Sequence, residues 1–109
     1  MSQEEVLYQN TSGNGKRKVV SAHYSMTPHD HHLIVDSSSA AVNVTLPALG
    51  DAYGIYVFSA PVGATNDVSL LVKESGSELA AGGDMDAANE ITVIVPANDG
   101  WEVIYTTVS

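Results

Sequence analysis

The residues of this chain best suited to chemistry sit together in its first third: Pro28-His29-Asp30-His31-His32, with His23 a few positions upstream. Imidazoles and a carboxylate are donors that zinc or nickel accepts. Extended backbone, however, sends neighbouring side chains to opposite faces, so His29 and His31 can converge while His32 cannot easily join them. Thr27-Pro28 opens the segment as a turn, because the proline ring holds the preceding residue out of the helical region. The expectation is a structural turn bearing solvent or interface histidines, with no resident metal and no cofactor. Imidazole titrates near neutrality, so a pH-sensitive contact is the next reading. Rings from several chains meeting on a symmetry axis would favour a metal.

Other constellations are thinner. Asp84 and Asp86 flank Met85 after Gly82-Gly83, but this D-x-D spacing lacks the glycine and distant glutamate of a calcium loop and reads as a solvated acidic turn. No nucleophile elbow, phosphate loop, dinucleotide fingerprint or H-E-x-x-H pair is present. Gly13-Asn14-Gly15-Lys16 has neither the strand before it nor the hydroxyl residue after lysine that a phosphate loop needs. We expect no catalysis. Trp101 follows the Asn98-Asp99-Gly100 turn and is in phase with Val103 and Tyr105, as a core tryptophan would be. On the surface it would instead serve as an interface anchor or a sugar platform.

These residues need elements to hold them, and the hydropathy has a period of two. Val42, Val44 and Leu46 alternate with Asn43 and Thr45 up to Pro47; Val68, Leu70 and Val72 alternate with Ser69 and Leu71, Ile91, Val93 and Val95 with Thr92 and Ile94, and Trp101, Val103 and Tyr105 with Glu102 and Ile104. Gly54–Ala60 is apolar on both faces, as in a central or doubly covered strand, and Val19–Tyr24 and Leu33–Asp36 are shorter candidates. Turn chemistry separates them at Ser37–Ser39, Leu49–Asp51, Pro61–Gly63, Glu74–Gly76, Ala81–Asp84 and Asn98–Gly100. Only Ser77–Asn89 could hide a helical turn. The pattern predicts an all-β domain over residues 19–109: a compact sandwich or barrel of about seven short, mainly antiparallel strands. Strands so short make a thin core, and strands rich in β-branched and aromatic residues with few charges invite pairing with another chain. An oligomer is expected.

Charge divides the chain at the same place. Residues 1–18 hold three basic residues, Lys16, Arg17 and Lys18, against two acidic ones, whereas residues 19–109 hold one against eleven, a net −10 within a total of −9. An acidic body of this kind repels nucleic acid and anionic membranes, so neither is an expected partner. Residues 1–18 read as an extended N-terminal arm: Val6, Leu7 and Tyr8 could anchor it, Thr11–Gly15 is linker-like, and the basic cluster could seek an acidic partner. Cysteine is absent, so disulfides and thiolate chemistry are excluded. No stretch approaches the roughly 18 apolar residues that span a bilayer, and MSQEEVLYQN is unlike a signal peptide, so a soluble chain not exported by that route is expected.

The run Met26 to Pro47 (MTPHDHHLIVDSSSAAVNVTLP) resembles small β modules of tailed-phage virion proteins, in which a strand ending in V-D precedes a small-residue turn and a strand ending in T-L-P. Gly50–Gly54 matches their glycine-bearing bend, and Asn98-Asp99-Gly100-Trp101-Glu102-Val103-Ile104 their closing G-W-x-V hairpin, so the likeness covers residues 24–105. The resemblance implies a non-enzymatic homotrimer that serves as a capsid decoration, or cement, protein on the outer capsid surface. Its partners would be major capsid protein subunits, reached by the arm through Val6, Leu7, Tyr8, Lys16, Arg17 and Lys18. Similar modules also form tail-fibre and spike tips, which makes a receptor- or carbohydrate-binding tip using the Trp101 region the alternative.

Overall fold

A computed structural model describes residues 17–61, 65–79, 82–85 and 88–108. The period-two segments become nine strands among these residues: β1 Lys18–Val20, β2 Tyr24–Ser25, β3 His32–Val35, β4 Val42–Thr45, β5 Tyr56–Ser59, β6 Val68–Leu71, β7 Asp84–Met85, β8 Ile91–Pro96 and β9 Trp101–Thr106. They form two sheets, a five-stranded one in the order β1-β3-β5-β8-β9 and a four-stranded one in the order β2-β4-β6-β7. Between β4 and β5 lies a single 3-10 turn, Leu49–Asp51.

The sandwich is the form adopted, and two expectations need correction. Strands number nine rather than about seven, partly because Val19–Tyr24 splits into β1 and β2, which lie in different sheets. Nor is the pairing mainly antiparallel. β1–β3, β3–β5, β2–β4 and β4–β6 are parallel, against antiparallel β5–β8, β6–β7 and β8–β9. The reason is the route. From β1 to β6 the chain passes from one sheet to the other at every step, so each strand returns to its sheet running in the same direction as the last. Alternation of apolar residues is the same in both orientations and cannot distinguish them. Ser77–Asn89 supplies β7 and a bridge from Glu78 to Leu71, with no helix among its described residues.

Alternate residues close one core between the sheets. Leu33 and Val35 of β3, Tyr56 and Phe58 of β5 and Ile94 of β8 meet Val42 and Val44 of β4, Val68 and Leu70 of β6 and Met85 of β7. At roughly 1.5–3 kcal/mol for each fully buried aliphatic or aromatic side chain, this contact is the main source of stability. The doubly apolar Gly54–Ala60 segment lies at the centre of the five-stranded sheet, as a central strand should. One polar link crosses the core's margin: buried Thr92 donates its hydroxyl to the Gly82 carbonyl at 2.8 Å and shares a bond with Thr106 Oγ1 at 2.9 Å. Gly82 has φ +75°, and a Cβ there would lie 2.8 Å from Thr106 Oγ1, so both conformation and space require glycine.

A bulge corrects the reading of β9. Val93 pairs with Tyr105, but Ile94 pairs with Val103, leaving Ile104 as the extra residue. Trp101 and Val103 therefore pack against the core, while Tyr105, expected on the same face, turns outward and is exposed.

Candidate functional site

The Pro28–His32 segment is a built turn rather than a loose loop. Asp30, buried, accepts three hydrogen bonds at one carboxylate oxygen: from the Tyr24 hydroxyl at 2.6 Å, the Thr27 amide at 2.9 Å and Thr27 Oγ1 at 3.2 Å. The Asp30 amide returns a bond to the Thr27 carbonyl at 3.2 Å, which closes the turn. From the core side, the fully buried Tyr56 hydroxyl donates to the Pro28 carbonyl at 2.7 Å and accepts from the Tyr53 amide at 3.1 Å. Burial raises the pKa of both tyrosines above their ordinary value, and for Tyr24 the bond to Asp30 adds to the effect. Both hydroxyls thus keep their protons to donate.

The four histidines go to different places. His29 is exposed and bonds the Tyr53 hydroxyl through Nδ1 at 3.0 Å. His31 stacks on Tyr56 with centroids 4.4 Å apart and meets the Tyr53 ring edge-on at 4.7 Å. Its Nδ1 lies 3.0 Å from the Ile55 carbonyl, and since a carbonyl only accepts, that nitrogen holds the proton. His32 belongs to β3 and faces outward opposite Val57, and His23 Nδ1 accepts from the Asn43 amide at 2.9 Å. His29 and His31 thus share Tyr53 while His32 departs, as the alternation of side chains requires. Among the described residues, no group of three or more histidines and acids is placed to hold a metal ion.

Trp101 continues the ring cluster from the other side, meeting Tyr56 edge to face at 5.6 Å. It also lines an open groove of about 510 Å³ with Leu79, Ala97, Asp99, Gly100, Glu102 and Val103. Its indole nitrogen is buried without a partner among the described residues. The ring is half-buried, and its role is closer to core than to platform.

Of the basic cluster, Lys18 is the first residue of β1 and lies in the sheet rather than before it. Its ammonium sits 4.9 Å above the Tyr24 ring, and the hydrogen bond to Tyr24 raises its pKa. Arg17 is exposed next to this strand. Val6, Leu7, Tyr8 and Lys16 lie outside the described residues, as does Asp86; Asp84 is exposed on β7.

What residue-by-residue reading missed is a surface. The outward face of the five-stranded sheet carries Val19, Ile34, Ser59 and Ile91 in one row and His32, Val57, Val93 and Tyr105 in the next. The outward face of the four-stranded sheet carries Asn43, Ser69 and Asp84, then Ser25, Thr45 and Leu71. One face suits water and the other does not. The available signal was the doubly apolar character of GIYVFSA and TVIV. Comparison of the chain with protein families, characterised proteins and solved structures gives no match.

Proposed function

We propose that this chain is a non-enzymatic structural protein of a virion, a capsid decoration protein that sits as a homotrimer on the outer capsid surface. The observation that supports it most is where the elements of the resemblance fall. Val35 ends β3 and Asp36 leaves it; Thr45 ends β4 before Leu46-Pro47; Gly54, at φ +74°, precedes β5; and Trp101 opens β9 after the Asn98–Gly100 turn. Each quoted motif marks a strand end. Under this reading the body supplies a rigid head. The arm, through Val6, Leu7, Tyr8, Lys16 and Arg17, reaches major capsid protein subunits, and three tethered arms gain strength through effective concentration. The test is co-sedimentation with assembled capsids, with and without residues 1–16, a cut that spares β1. Loss of binding by a head that remains folded is the expected result; undiminished binding refutes the arm's role.

The groove at Trp101 favours one second reading, a tail tip that grips glycans between the indole and the carboxylates of Asp99 and Glu102. Glycan-array binding that Trp101→Ala abolishes would select it.

A further inference from the structure

We infer that the outward face of the five-stranded sheet is the surface through which copies of this chain meet one another. The inference rests on the oligomeric part of the reading above and supplies what that reading lacks, the place of contact. Registers and exposure carry it. Val19 is 63% exposed, Tyr105 57%, Ile55 53% and Ile91 37%, with Ile104 at the bulge on the margin 50% exposed. Half-buried Ile34, Val57, Val93 and Val95 fill the rows between them, interrupted only by Ser59 and His32. Five large side chains so exposed leave on the order of 500 Å² of apolar surface, toward the upper end of the largest patch a single chain carries and of a size that often marks an interaction site. Two such faces together remove about 1,000 Å² from water, the area at which a specific interface begins.

A second copy fits this face better than an unrelated partner. The chain carries a net charge of −9, so two copies repel wherever their acids face each other. Among the described residues of these rows, fixed charge is confined to the margins: Arg17 beyond β1, level with His32, and Glu102 on β9 opposite Val95. A basic margin and an acidic margin on one apolar face are complementary between copies of the same chain. The edges agree. β1 is three residues long and starts with a lysine, which blunts it, whereas β9 offers a six-residue edge that no described strand pairs with, beside the face. The four-stranded sheet has two-residue strands, β2 and β7, at both edges, and its outward face is polar except at Leu71. It is built to remain in water.

The test is native mass by light scattering on the full chain at fixed pH, up to about 100 µM, where a contact of micromolar strength is filled. The wild type should run as a multiple of 11.4 kDa. Tyr105→Glu and Ile91→Glu each place a carboxylate inside the contact and should weaken association by about a hundredfold or more, giving monomer with unchanged circular dichroism. Asn43→Glu adds the same charge to the other sheet and should leave the mass unaltered. An oligomer that persists in both face variants overturns the inference while leaving the trimeric reading intact. A monomeric wild type overturns it as well, and capsid co-sedimentation by that monomer would show that decoration survives without it.

Discussion

Replacing Tyr56 with phenylalanine removes one oxygen from the centre of the molecule and separates the two jobs this ring does. The ring itself stays, with its stack on His31 and its edge contact to Trp101. The hydroxyl's bonds are lost, leaving the Pro28 carbonyl and the Tyr53 amide without their partner. A buried group stripped of its partner costs about 1–3 kcal/mol; because Pro28 and Tyr53 reach the surface and water can replace part of the loss, about 1–2 kcal/mol is expected in total. In a domain of this size that lowers the thermal midpoint by about 5–12 °C. The assay is urea and thermal unfolding at one fixed protein concentration, since association would couple to stability. The urea slope should not change, because the surface exposed on unfolding is the same. Hydrogen exchange should show faster opening at the Tyr53 amide, which locates the loss in the histidine turn. Asn43→Ser, at an exposed side chain on the outward face of the other sheet, is the control and should shift stability by less than about 0.5 kcal/mol. A Tyr56→Phe midpoint equal to that control would refute the claim that this hydroxyl anchors the turn.

Two further outcomes are expected. Gly82→Ala combines a left-handed backbone with a contact 2.8 Å from Thr106 Oγ1, so it should destabilise by about 2 kcal/mol or more in denaturant titrations, and a neutral result would show that the Thr92–Thr106 link yields easily. Burial, and then the charge of Arg17, hold the His32 pKa below its ordinary 6.5; the folded chain therefore binds this proton less readily than the unfolded one, and the stability present above pH 6.5 is lost as pH falls below it. The difference in unfolding free energy between wild type and His32→Gln should accordingly shrink on going from about pH 7.5 to 5.5, and a constant difference would contradict it.

Much of this was legible before any coordinates. Period-two alternation marked β4, β6, β8 and β9, because a pleated strand with one buried face favours that pattern, while a doubly apolar run marked β5 and the short Leu33–Asp36 candidate marked β3. Turn residues marked their ends. The same logic placed His29 and His31 together and sent His32 elsewhere. It failed at Tyr105, since a bulge inserts one residue and reverses the face of everything beyond it, and alternation cannot register a pairing it does not contain. At Asp30 a structural turn was legible, but not what holds it: the carboxylate is taken up by Tyr24 and Thr27, partners that local spacing alone does not name.

By itself, then, the amino-acid order determined the strands, the turns, the acidic body with a basic lead-in, and the absence of thiol chemistry, all of them consequences of local side-chain type and spacing. Only the tertiary structure decided how those strands combine. Parallel pairing follows from a chain that changes sheets at each step, and orientation is a property of partners far apart in sequence, such as Val42 and Val68. The contrast between the two outward faces has the same origin. Val19, Ile34 and Ile91 are scattered along 73 residues and become one surface only when the sheet sets them in a single row, with Ser59 between the two isoleucines.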